Sequence, residues 1–142
     1  MIKFQSSKLK VKSFGFTLIE LLVAMTIVAI LMGISLVSYQ GARKSSRDGK
    51  RKADLEQIRS ALEMCRTDSN SYPASIYPNV SCGTKIYLSS TPKDPADGSN
   101  YYYLGATNTY TLCAYLETGG TEGSCGSVSC GIHTCNYKVT NP

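Results

Sequence analysis

The chain has 142 residues, six cysteines, one histidine and a formal net charge of +5. That length allows one small domain beside an apolar segment, and small domains are only marginally stable without cross-links. With one histidine, no Gly-x-Ser-x-Gly and no Gly-rich phosphate loop, the sequence offers neither a nucleophile–base pair nor a nucleotide cradle, and no catalytic role is expected.

The first fifteen residues, MIKFQSSKLKVKSFG, form a short basic leader with Lys3, Lys8, Lys10 and Lys12. Phe16 to Val37 follows, apolar almost throughout and carrying one charge, Glu20. As a helix this stretch is about 33 Å long, enough to cross a bilayer core of about 30 Å. What comes after it is too polar for a second span.

The join reads Lys12-Ser13-Phe14-Gly15-Phe16-Thr17-Leu18-Ile19-Glu20. A secretory signal places its small-residue cleavage site after the apolar run. Here the small residue, Gly15, precedes it, so a cut after Gly15 removes the leader and keeps the span. Gly-Phe-Thr-Leu-Ile-Glu resembles the prepilin signal of type IV pilins and type II secretion pseudopilins. The resemblance is close from Gly15 to about Val37 and looser in the helix that follows. It implies cleavage between Gly15 and Phe16 by a prepilin peptidase and N-methylation of Phe16. It also implies a filament in which Glu20 contacts the Phe16 amine of a neighbour. An isolated ammonium and an isolated carboxylate in apolar surroundings are strongly driven to pair. One departure is the lack of the span proline many family stalks carry; Gly33 is the only obvious weak point there.

Basic residues flank both ends of the span, so charge alone does not orient it. All six cysteines follow the span. This places the C-terminal side in an oxidising exterior and the leader in the cytoplasm. The expected location is the bacterial inner membrane, then a periplasmic or extracellular filament.

Residues 42–52, ARKSSRDGKRK, hold six basic residues against Asp48, whereas 53–142 hold five basic and eight acidic residues. The head is therefore mildly acidic and the neck strongly basic. Arg43 to Lys52 suits anionic headgroups or DNA phosphates, but reads first as a solvated helix face neutralised by acidic neighbours in an assembly. Leu55, Ile58, Leu62 and Cys65 recur at spacings of three and four, one apolar face of a helix. One long helix is predicted from Phe16 to about Cys65, with Gly41 and Gly49 as points where it can bend. It should end near Asp68-Ser69-Asn70-Ser71, before Tyr72-Pro73. The run DLEQIRSALEMCRTDSNSYP also resembles the family stalk, which ends in a polar turn before Tyr-Pro.

Residues 72–100 read as a loop with Lys85 to Leu88 as a short strand. Pro92-Lys93-Asp94-Pro95 resembles a pseudopilin segment leading into the sheet; the tryptophan that often follows there is absent, with Ala96 in place. Tyr101 to Leu104 and Thr109 to Leu116 read as a hairpin, with Tyr110, Leu112, Ala114 and Leu116 on one face. Tyr137 to Val139 is expected to close the sheet. The expected fold is α+β: a long N-terminal helix, half transmembrane and half amphipathic, packed on a small antiparallel sheet. The expected divisions are leader 1–15, transmembrane helix 16–38, amphipathic stalk 39–68 and disulfide-containing head 69–142.

Six cysteines allow fifteen pairings. Cys65 at the helix end and Cys82 in the next loop make a plausible clasp; Cys113 with Cys135, enclosing Cys125 with Cys130, is the expected remainder. The rival is zinc on Cys130-x-x-His133 and neighbouring thiols, but an exported domain favours disulfides. Calcium, which some major pseudopilins bind in the corresponding loop, would need a denser oxygen set than Asp94, Asp97, Glu117 and Glu122. No metal and no cofactor is expected. Tyr101, Tyr102, Tyr103, Tyr110 and Tyr115 could stack on bases but read first as sheet residues.

Taken together, the residues and the resemblance point to a structural subunit of a type IV pilus or type II secretion filament. Expected partners are the prepilin peptidase, copies of itself and other pilins, the inner-membrane assembly platform, membrane lipid and, through the neck or tyrosines, DNA. Pro-Lys-Asp-Pro and the short head favour a pseudopilin; the cysteine-rich tail favours a pilus subunit. The alternative is a solitary membrane-anchored binding module whose head captures DNA or a surface ligand.

Overall fold

The computed structural model describes residues 15–120, 123 and 125–141. Two compact units divide between Tyr39 and Gln40. Leader residues 1–14, with Thr121, Glu122, Ser124 and Pro142, lie outside the described residues.

Helix α1 runs from Leu18 to Ser69, with Gly33, Gly41 and Gly49 inside it. Its ends are set by side chains. Thr17 precedes the first turn and Glu20 reaches back to it, as described below. At the other end Asn70 adopts φ 55° and its N–H donates to the Arg66 carbonyl at 2.7 Å. Asparagine tolerates this left-handed cap better than most residues. The end falls within the predicted Asp68 to Ser71 turn.

In the second unit, β1 (Val80–Cys82) and β2 (Lys85–Leu88) form one hairpin. β3 (Tyr102–Gly105), β4 (Tyr110–Ala114) and β7 (Tyr137–Thr140) form a three-stranded antiparallel sheet in the order β3-β4-β7. β5 (Ser129–Cys130) and β6 (His133–Thr134) form a third, two-stranded pair. The predicted hairpin and closing strand are present. β1 lies in a stretch expected to be loop, and β5 and β6 in a stretch for which no strand was expected.

The core sits between the C-terminal half of α1 and the three-stranded sheet. Leu55, Ile58 and Leu62 are fully buried, with Ala61 beside them. They share a cluster with Tyr110, Leu112, Ala114 and Leu116, the predicted face of β4. The register pairs Leu112 with Val139 and Ala114 with Tyr137, so β7 adds its alternate residues to the same layer. Burying each large aliphatic side chain contributes about 1.5–3 kcal/mol. This is the α+β arrangement expected.

Three disulfides close the second unit: Cys65–Cys82, Cys113–Cys125 and Cys130–Cys135. The first is the predicted clasp and ties the helix end to β1. The expected Cys113–Cys135 and Cys125–Cys130 pairs are wrong. The β5–β6 turn brings Cys130 and Cys135 to a Cα separation of 5.2 Å, inside bonding range. The loop after β4 folds back past residues 136–138. A Cβ on Gly120 would collide with the Asn136 carbonyl, and one on Gly123 would touch Lys138. That return path delivers Cys125 to Cys113.

Candidate functional site

The N-terminal unit is defined by what it leaves uncovered. Phe16 is 88% exposed, Leu18 77% and Ile30 65%. Leu21, Leu22, Val23, Met25, Ile27, Leu31 and Ile34 are exposed as well. Among the described residues, α1 is the helix long and apolar enough to cross a membrane. Contiguous apolar surface on this scale marks a surface that lipid or another chain covers.

Gly15 and Phe16 are exposed and non-helical, directly before the first turn. Thr17 caps that turn. Its N–H and its hydroxyl donate to Glu20 Oε2 at 3.0 and 2.9 Å, and Glu20 N–H donates to Thr17 Oγ1 at 3.3 Å. This reciprocal pair is a capping box, in which two unsatisfied N–H groups of a helix start are satisfied together. Its signature, Thr17-x-x-Glu20, stands in the sequence. Glu20 thus has a local duty inside its own chain.

The second unit carries a different constellation at the neck. Arg51 is 2% exposed. Its Nε and Nη2 donate to the two Asp94 carboxylate oxygens at 2.7 and 2.9 Å. Its Nη1 donates to Asp48 at 2.7 Å and to Glu117 at 2.9 Å. Arg47 reaches the same Glu117 through Nε at 2.7 Å and Nη2 at 2.5 Å. Asp48 also accepts the N–H groups of Glu117 and Thr118 at 3.0 and 2.8 Å, and the Thr118 hydroxyl at 2.7 Å. Two cations and three anions therefore join α1 to the 91–97 loop and the segment after β4.

This corrects one expectation. Arg47 and Arg51 are neutralised within their own chain, not by a neighbouring subunit. The reason is geometric: positions 47, 48 and 51 lie on adjacent turns of one helix, where they meet two loops brought in from far along the chain. A guanidinium can serve several carboxylates in fixed geometry. Glu117 is held down to about 2, first by Arg47 and then by Arg51, against an opposing burial effect. For Asp48, burial pushes the carboxyl up, but the Glu117 and Thr118 hydrogen bonds outweigh it and the net direction is down.

The rival site readings lose their ligands here. Asp94 and Glu117 spend their oxygens on arginine, so they do not form an open hard-cation set. Cys130 is bonded to Cys135, which removes a thiolate from the zinc alternative. His133 stacks on Tyr115 with ring centroids 4.2 Å apart and planes at 18°. Tyr101 and Tyr110 are buried, Tyr101 donates to Asp54 at 2.9 Å, and Tyr103 donates to the Pro73 carbonyl at 2.5 Å. Burial pushes Tyr103 up to about 12. These are sheet and core residues, not a platform for bases.

Comparison with known proteins agrees with the N-terminal geometry. Residues 10–36 match the prokaryotic N-terminal methylation motif. Over 127 residues the chain is 31% identical to the type IV wide pilus major component PilA4 of Thermus thermophilus, covering 89% of this chain and 91% of that protein. It is 26% identical over 140 residues to type II secretion system core protein G of Vibrio cholerae, covering 90% and 94%. The corresponding core protein G of Pseudomonas aeruginosa is 29% identical over 126 residues, covering 76% and 88%. No solved structure matches the chain.

Proposed function

The chain belongs to the type IV pilin and type II secretion pseudopilin family, and from that membership we propose how its N-terminal segment is processed and used. It is a structural, non-enzymatic subunit of a type IV pilus or type II secretion filament. The observation that carries this is the uncovered apolar stretch of α1 from Leu18 to Ile34, set directly behind an exposed Gly15-Phe16 junction that is open to an approaching peptidase.

In our reading the precursor is inserted with its leader in the cytoplasm and its head outside. A prepilin peptidase cuts between Gly15 and Phe16, and the new Phe16 amine is methylated. Residues 16–38 anchor the subunit in the inner membrane, 39–68 form the stalk and 69–142 the head. The assembly platform then extracts subunits into a filament. There the apolar segments cover one another, and the Phe16 ammonium of one subunit meets Glu20 of the next. Ion pairing in that dry interior fixes register because neither charge is tolerated alone.

Intact-mass analysis of membrane-extracted protein tests the processing step. The expected species begins at Phe16 and is heavier by one methyl group. A mature species beginning at Met1 would overturn it.

A further inference from the structure

We propose that the outer edge of β3, at Tyr103, is a docking slot for an extended, uncharged peptide segment of another protein, which joins the sheet as a short fourth strand. This goes beyond the filament reading and does not rest on it.

β3 is an outer strand in the order β3-β4-β7. Along an antiparallel pair, residues alternate between those bonded to the partner strand and those turned away. The Ala106 N–H donates to the Thr109 carbonyl at 2.8 Å across the hairpin turn. The register carries that phase to Leu104 with Thr111 and to Tyr102 with Cys113. Tyr101, Tyr103 and Gly105 therefore turn their backbone groups outward. The two ends of this edge are covered. The Tyr101 N–H donates to the Tyr77 hydroxyl at 2.9 Å. Gly105 lies so close to the Pro73 carbonyl that a Cβ there would collide with it. At Tyr103, between them, no partner among the described residues meets the outward N–H or C=O.

Residues 74–77 run past this gap, and the space between them and residues 101–103 encloses about 320 Å³. Tyrosine side chains hold it open: Tyr77 bridges one end, and at the other the Tyr103 hydroxyl donates to the Pro73 carbonyl. From Tyr101 to Gly105 the edge spans about 13 Å, room for about four extended residues.

The chemistry of the slot selects its occupant. Tyr103 offers a donor and an acceptor on one side of a single residue. A residue of an extended peptide offers the matching pair at the same spacing. No charged side chain lines the space, so a charge brought into it would be left unpaired, which is costly. A second copy of this chain is the poorer fit. Its β2 and β7 each bring a lysine, Lys85 and Lys138, and its β1 is fixed to the helix end through Cys82. Its own β3 is walled by the same 73–77 segment and does not enter a slot of this size.

The test uses the full mature chain in neutral detergent and a defined probe, the blocked peptide acetyl-Ser-Val-Thr-Val-Thr-Val-Ser-amide. The backbone supplies the bonds, so a generic strand sequence serves. The peptide is titrated, and amide exchange is read residue by residue by mass spectrometry with electron-transfer fragmentation. At a peptide concentration about tenfold above its dissociation constant, exchange at Tyr103 should slow about tenfold. The same peptide with its five central amides N-methylated should give no protection. Ala74→Trp, which fills the slot from an exposed position, should abolish protection. Ala106→Trp, exposed in the turn outside the slot, should leave it unchanged. Both variants should keep the three disulfides. Absence of protection in the wild-type chain overturns the proposal, as does equal protection by the N-methylated peptide or in Ala74→Trp. Protection that rises with protein concentration in the absence of peptide would give the slot to a second copy. Protection by chitotriose, a neutral glycan, and not by the peptide would give it to a sugar. Either result overturns the proposal. Cleavage at Gly15 and recovery in sheared filaments are scored separately, so failure here is distinguishable from failure of the filament reading.

Discussion

Arg51 and Asp94, 43 residues apart in sequence, meet through two parallel bonds of 2.7 and 2.9 Å on a guanidinium only 2% exposed. The loop holding Asp94 is thereby fastened to α1 with a defined orientation. Breaking a buried pair by removing one partner costs about 3–5 kcal/mol, because the other charge is left stranded. Arg51→Ala should lower the stability of the purified chain by that amount in urea unfolding. Arg51→Lys should recover little, since an ammonium lacks the fork. A loss below about 1 kcal/mol, the range of exposed pairs, would mean that the cluster is dispensable.

Acid should loosen the same region. Glu117 titrates at about 2 in the folded chain, against an ordinary value of 4.5. A depressed carboxylate contributes stability that is complete above its unfolded value and lost as pH falls through the folded one. Stability should therefore decline between about 4.5 and 2. Urea midpoints measured across that window should flatten in Glu117→Gln. An identical acid slope in wild type and variant would remove Glu117 from the account.

The helix end depends on a covalent clasp. Cys65 and Cys82 are 17 residues apart, and closing a loop of this size restricts the unfolded chain by about 3 kcal/mol. Cys65→Ser/Cys82→Ser should lose about that much and expose the 70–88 segment to protease first. Peptide mapping without reductant should also recover Cys113 joined to Cys125. Recovery of Cys113 joined to Cys135 would refute the connectivity described above.

Glu20 caps its own helix, and the assembly duty proposed for it separates from that by substitution. The capping box is a local contribution that a neutral side-chain oxygen can also make; the proposed assembly pair needs the charge. Glu20→Gln keeps a side-chain oxygen for Thr17 and loses the charge, while Glu20→Ala loses both. Both variants should be cleaved and membrane-resident, and both should be missing from sheared filaments in cells with no wild-type copy. Filaments from Glu20→Gln but not from Glu20→Ala would assign the residue to capping alone.

Much of this fold was legible because it is periodic or punctuated. Leu55, Ile58 and Leu62 mark their helix face by spacing, and Tyr110, Leu112 and Ala114 mark theirs by alternation. β2 was found because Lys85 to Leu88 is bounded by turn residues. β1, β5 and β6 span two or three residues each, too few for a period to register. The neck misled because charge was counted locally. Arg51 is surrounded in sequence by cations, but its partners Asp94 and Glu117 arrive 43 and 66 residues later. The cysteine tail misled for a related reason: its even spacing hides the turn after β4 that Gly119 N–H closes on the Leu116 carbonyl. The Thr17–Glu20 box could have been read directly.

Strand β4 is central in its sheet because β7 pairs with it, residue 140 with 111 and 137 with 114. Until residues 137–140 have been exported, β4 has one raw edge of unpaired N–H and C=O groups, a template for strands of other molecules. On the proposed topology, the interval between export of residue 114 and export of residue 140 is a window for cross-chain pairing. Chaperone demand in the receiving compartment should concentrate on that window, since the apolar segment stays in the membrane as the anchor.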